Sequence, residues 1–160
     1  MRQGLREFFS KPLLRMGVLL IAIGIPIGLG LFTFSYARGT SYLSDDPNTC
    51  VNCHIMRPQF EAWQHSSHAR VAVCNDCHVP HSDPIAKWVV KGINGFNHSL
   101  AFTTGGFHEP IRANAMNASV VQANCIECHQ GIVSMIAANH AGEELACVTC
   151  HSDVGHDTRD

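Results

Sequence analysis

The chain has 160 residues and a formal net charge of −2, with eight cysteines and eleven histidines. That length allows one modest domain. Beyond residue 37 seven Lys and Arg face twelve Asp and Glu, which argues against nucleic acid as a partner. The sequence has no phosphate loop, no Ser/His/Asp grouping and no basic patch interleaved with aromatic residues.

The N-terminal segment, residues 1–16, carries Arg2, Arg6, Lys11 and Arg15 against Glu7 alone. Residues 17–36, GVLLIAIGIPIGLGLFTFSY, are free of charge. At about 1.5 Å per residue such a helix spans the roughly 30 Å hydrocarbon core of a bilayer. The basic flank predicts a single-pass anchor with the N-terminus in the cytoplasm and residues 37–160 outside the inner membrane, in the periplasm. A cleaved signal peptide competes with this reading, because Ser35-Tyr36-Ala37 has small residues suited to cleavage. The apolar run is longer than the usual 7–15 residues of a secretory core, so a retained anchor is favoured. Pro26 loosens the helix midway, which a membrane span tolerates. Gly24 and Gly28 form a small-xxx-small pair that can seat a second copy of the anchor.

Gly39-Thr40-Ser41 and Asp45-Asp46-Pro47-Asn48 read as a short polar tether, so the first motif lies near the membrane surface. That motif, Cys50-Val51-Asn52-Cys53-His54, has the CxxCH form of a c-type haem attachment site. It recurs as Cys74, Cys77 and His78, as Cys125, Cys128 and His129, and as Cys147, Cys150 and His151. Four copies use every cysteine, which points to four covalently bound haem c groups rather than zinc or disulfides. Their starts lie at 50, 74, 125 and 147. This gives two di-haem halves, about 45–83 and 118–160, and suggests an internal repeat. A domain this small cannot enclose four porphyrins in an ordinary core, so the haems themselves form it. The predicted class is mainly α with much irregular structure: one transmembrane helix and a small multihaem c-type cytochrome domain packed around four haems.

Two residues past His54 stands Met56, a neighbour that no other motif has so close. Met56 is either a gap-filling core side chain or a rival of His54 for the first iron. Outside the motifs lie His65, His68, His81, His98, His108, His140 and His156, seven candidates for at most four sixth-ligand positions. Residues 84–104 form the longest helical candidate of the soluble part, with Pro84 suited to its start. Lys87, Lys91, Asn94 and His98 share one face of it, which is either a solvated basic stripe or a working surface.

The anchor, the SYLSDDPNTCVNCHIMRPQFEAWQHSSHA run, the CNDCH motif followed by proline, the GFNHSLAFT run and the late CIECH and CVTCH with trailing Val154-Gly155-His156 carry a specific resemblance. They are similar to the NapC/NirT family of tetrahaem membrane quinol dehydrogenases. Within that family they most resemble the small membrane subunits of cytochrome c nitrite reductases. The resemblance implies that the protein oxidises menaquinol at the outer membrane face and passes electrons to a periplasmic multihaem nitrite reductase that makes ammonium. Two alternatives are a quinol dehydrogenase feeding another periplasmic reductase and a pure electron relay without quinol chemistry. By resemblance Met56, rather than His54, ligates the first iron, and thioether ligation raises haem potential. His68 matches the family's distal histidine between the first two motifs, and His156 is placed to serve likewise after the last. His78, His129 and His151 are the remaining iron ligands, and one haem takes its distal ligand from the reductase partner. The family's quinol site pairs a lysine with an aspartate seven residues later. The matching residues here are Lys87 and Asn94, so the acid is missing. His98, one turn further on, is a candidate proton acceptor and equally a candidate haem ligand.

Overall fold

The computed structural model describes residues 11–139 and 146–156. The basic residues Arg2 and Arg6, the candidate ligand His140 and the last four residues lie outside the described residues. The chain divides into two compact units, residues 1–41 and 42–160.

The first unit is built on helix α1, Pro12–Tyr36, 25 residues long. Pro12 occupies the first turn, where the missing N–H is no loss. The helix therefore begins one and a half turns ahead of the uncharged run. None of its side chains is buried, and the exposed ones include Leu19, Leu20, Leu29, Leu31 and Phe32. At about 1.5 Å per residue α1 exceeds the roughly 30 Å core of a bilayer. Among the described residues it is the one helix long and apolar enough to cross a membrane. Phe32 and Tyr36 stack with centroids 6.0 Å apart near its end, and the helix stops in a turn in which Arg38 takes a positive φ of 52°.

The second unit consists of short helices and 3-10 turns, with no strand among the described residues. Its α-helices are α2 (Arg57–Gln64), α3 (Cys74–His78), α4 (Pro84–Thr104), α5 (Ala115–Cys128), α6 (Gln130–Asn139) and α7 (Cys147–Cys150). The caps explain the bounds of α4. Asp83 accepts from the Ile85 N–H at 2.8 Å, Pro84 fills N1, and Gly105 closes the helix with φ +70°. At the end Gly106 N donates to Ala101 O at 3.0 Å, using a carbonyl of the last turn. The expected helix 84–104 is thus the observed one.

Helix α5 is the keystone, started by Asn114, whose Oδ1 accepts from Asn117 N at 2.9 Å. It packs on α3, α6 and α7. Asn124, only 5% exposed, donates through its amide to Cys77 O (3.1 Å) and Val79 O (2.9 Å). Gln122 Oε1 accepts from Cys147 N at 3.0 Å. One helix therefore carries the third motif and clasps the second and fourth. Apolar burial is sparse by comparison: among the described residues only Val79 and Val90 are buried hydrophobics. Side-chain packing of that extent does not offset the entropy of ordering more than a hundred residues.

Candidate haem centres and the lysine face

Three of the four motifs are helical. Cys74 to His78 is α3, Cys125 and Cys128 close α5, and Cys147 and Cys150 bound α7. On a helix residues i, i+3 and i+4 share a face, so each motif turns its two thiols and its histidine the same way. Amide bonds hold the last step: His129 N donates to Cys125 O and His151 N to Cys147 O, both at 2.9 Å. None of the eight cysteines forms a disulfide. They also follow one another in space. Cys50 neighbours Cys74, Cys77 neighbours Cys125 and Cys128, and Cys125 neighbours Cys147.

The first motif is built differently. Two 3-10 segments, Pro47–Asn52 and His54–Met56, meet at an extended Cys53 (φ −91°, ψ 106°). Asp46 Oδ1 accepts from Asn48 N at 2.9 Å and starts the first segment. In a 3-10 turn residues i and i+3 eclipse, and Met56 N donates to Cys53 O at 2.9 Å. Met56 therefore falls on the side of Cys53. It is half-buried, whereas His54 is exposed. The Tyr42 hydroxyl hydrogen-bonds the Cys53 sulfur.

Two histidine pairs have the geometry of axial ligands. His78 and His156 lie with ring centroids 6.0 Å apart and planes within 6° of parallel. His68 and His129 lie 6.1 Å apart at 66°. An imidazole nitrogen binds a first-row metal at about 2.0 Å, so two rings on opposite sides of one ion have centroids on the order of 6 Å apart. His68 Nδ1 donates to Val154 O at 3.1 Å, with Ser67 Oγ 3.0 Å away. That bond selects the tautomer with a free Nε2 lone pair, as a second-shell partner does for a metal-bound histidine. His156 Nδ1 is buried with no hydrogen-bond partner among the described residues. The His78 pKa is pushed down to about 4, first by burial and then by His156 and His98, so the ring is neutral, the form that binds metal. These features, with the scant apolar core, fit porphyrin iron between the paired rings.

The other histidines are engaged differently. His65 Nδ1 lies 2.9 Å from Glu61 O, and His81 donates through Nε2 to Asp76 O at 2.6 Å while facing Glu127 across 3.4 Å. His98 comes near His78, but the ring parallel to His78 belongs to His156. Among the described residues no second histidine pairs with the exposed His151.

The polar face of α4 carries a cluster that sequence reasoning missed in part. Lys87 Nζ meets Asp45 Oδ2 at 2.7 Å, and Lys91 Nζ meets Asp45 Oδ1 at 2.6 Å. Lys91 also donates to Ser44 O at 3.0 Å, and Asn75 Nδ2 to Asp45 Oδ1 at 2.7 Å. Lys87 first, then Lys91, holds the Asp45 carboxyl well below the usual carboxylate range. Asn94 is half-buried on the same face, and His98 is exposed over more than a third of its area. Protein atoms around the His98 ring still lower its pKa by desolvation. The Lys91 charge acts on Cys50 as well, so the cluster adjoins the first attachment site. The opposite face of α4, with Ile85, Val89, Phe96 and Leu100, is apolar and exposed. Asp45 had read only as part of a turn; its one signal was an acidic pair just ahead of the first motif.

Residues 12–123 match the family model described as "NapC/NirT cytochrome c family, N-terminal region". The cytochrome c-type protein NrfH of Wolinella succinogenes is 37% identical over 147 residues, covering 86% of this chain and 83% of that protein. The cytochrome c nitrite reductase subunit NrfH of Nitratidesulfovibrio vulgaris is 36% identical over 120 residues, covering 75% and 72%. Among solved structures, a chain of the cytochrome c nitrite reductase NrfHA complex bound to the HQNO inhibitor superposes with a TM-score of 0.64 at 32% identity, over 88% of this chain and 92% of that one.

Proposed function

The chain belongs to the NapC/NirT cytochrome c family, and on that premise we propose that it is the membrane-anchored, menaquinol-oxidising subunit of a cytochrome c nitrite reductase. It is an electron-transfer cytochrome with covalently bound haem c. In this reading four haems are attached at Cys50/Cys53, Cys74/Cys77, Cys125/Cys128 and Cys147/Cys150, residues 17–36 anchor the protein, and residues 37–160 lie in the periplasm.

When bound, haem supplies reversible one-electron storage at iron. This chain's residues set the ligands and the order of transfer. Met56 would hold the first iron, His78 with His156 the second, His129 with His68 the third, and His151 the fourth. One haem would take its distal ligand from the catalytic subunit. The sequence of cysteine neighbours, 50 to 74, 77 to 125 and 125 to 147, keeps consecutive centres close enough for relay.

Quinol oxidation releases two electrons and two protons, so the site needs donors for the quinol oxygens and a proton acceptor. Lys87, cationic, donates to a quinol oxygen and stabilises negative charge developing there. Asn94 orients the ring. His98, on the same face and with its pKa lowered by desolvation, accepts a proton and returns it to water.

The observation that separates this reading from a pure relay is the lysine cluster of α4 beside the Cys50 attachment site. The test is reconstitution in liposomes. With a menaquinol analogue and a nitrite reductase catalytic subunit, ammonium formation should require this chain. Haems that dithionite reduces but the quinol does not would refute the quinol reading.

A further inference from the structure

We propose that Asp45 is the positioning carboxylate of the menaquinol site, clamping the ammonium groups of Lys87 and Lys91 into a fixed pair of donors. This rests on the quinol reading of the α4 face. Lys87 and Lys91 are four residues apart on one helix face, where like charges destabilise each other. A carboxylate between them removes that cost and fixes both side chains, and Asp45 does so with one oxygen to each, at 2.7 and 2.6 Å. Asp45 is itself tied to the second motif by the Asn75 amide at 2.7 Å, so the clamp is referred to the haem-bearing scaffold and not to a free loop.

The two lysines are not equivalent. Lys91 has a side chain only 9% exposed. It gives two of its three donors to Asp45 Oδ1 and Ser44 O, and its ammonium lies 5.3 Å from the Trp88 ring centroid. Lys87 is 31% exposed and gives one donor to Asp45 Oδ2. Lys91 is therefore the strut and Lys87 the working donor, with N–H groups left for a ligand oxygen. Two cations around one anion leave a net positive charge, which suits a quinol oxygen as it loses its proton. Asp45 acts through Lys87 and is not itself the proton acceptor: a carboxylate braced by two ammonium groups is a poor base.

The test uses the full haem-loaded chain in detergent and measures HQNO binding by fluorescence titration, with menaquinol oxidation kinetics beside it. Asp45→Asn keeps the shape and removes the charge; it should weaken HQNO binding about tenfold or more, the scale of a lost charged hydrogen bond. Asp45→Glu should recover most of the affinity. Asn94→Asp placed in the Asp45→Asn background should recover part of it, because it returns a carboxylate to the same helix face. Combined with Lys87→Leu, Asp45→Asn should add almost nothing to the Lys87→Leu loss, since both remove one interaction. A purely structural Asp45 would give additive losses and no rescue from position 94, and either result overturns the proposal. So does HQNO affinity within about twofold of the parent in Asp45→Asn, the scatter of a neutral surface change. If Lys87→Leu still loses HQNO in that case, the quinol reading of α4 stands and only Asp45 is wrong. If Lys87→Leu also binds normally, the quinol reading fails first.

Discussion

The first motif differs from the other three in the backbone around its two candidate ligands, His54 and Met56. His54 and Met56 were equal rivals in the sequence because each lies within reach of Cys53. The three helical motifs put histidine on the cysteine face, while the extended Cys53 and the 3-10 turn after it put Met56 there and leave His54 exposed. Met56→Leu conserves volume, so packing should change little. The first haem alone should change its spectrum and its potential, and quinol oxidation should fall; a change seen with His54→Ala but not with Met56→Leu would reverse the assignment. His98 carries a prediction in pH. Burial lowers its pKa, so the ring stays neutral further into the acid than a free imidazole. The acid limb of menaquinol oxidation should therefore fall below about pH 6.5, the unperturbed imidazole value, and His98→Gln should abolish that limb in a pH–rate series.

At the scale of the elements, legibility followed the range of the interactions. Helix α4 was readable to its ends because its signals are local: Asp83, Pro84 and a glycine after Thr104. The shared face of Lys87, Lys91, Asn94 and His98 was readable for the same reason. The partner of that face was not, because Asp45 lies 42 residues from Lys87 in sequence and nothing in a turn-like acidic pair announces a distant lysine. His68 and His156 were named from resemblance, but which motif histidine each faces was not legible locally. Seven spare histidines had similar local surroundings, and His68 with His129 and His78 with His156 become pairs only when α5 brings the motifs together. The role of α5 itself, with Asn124 as the clasp, had no local signal. Asn124→Leu strands the Cys77 and Val79 carbonyls it now satisfies. That should cost about 1–3 kcal/mol, read as a lower thermal midpoint of the holoprotein with all four haems still attached. Asn94→Asp should be tolerated in quinol oxidation, since a carboxylate of nearly the same size keeps an oxygen acceptor on the Lys87 face.

The whole molecule pairs an apolar helix with a haem-filled domain, and each part lacks something that the protein chain does not supply. Helix α1 has no buried side chain, so it needs lipid. Detergent and not high salt should release the protein from membranes, and the intact mass should include residues 1–37; a mature chain beginning near Arg38 would refute the anchor. The second unit has two buried apolar residues among those described, so it needs its prosthetic groups, and blocking haem attachment should leave it unfolded and rapidly degraded. The central claim is that the α4 face turns a tetrahaem relay into a quinol dehydrogenase. It is tested most directly by menaquinol-driven haem reduction in membranes carrying Lys87→Leu, followed by stopped-flow absorbance. The account predicts a loss of about a hundredfold or more in rate, the scale of removing one preorganised donor from a site of developing charge, with all four haems attached and fully reducible by dithionite. Reduction by menaquinol at the parent rate would contradict it and leave the face a solvated basic stripe.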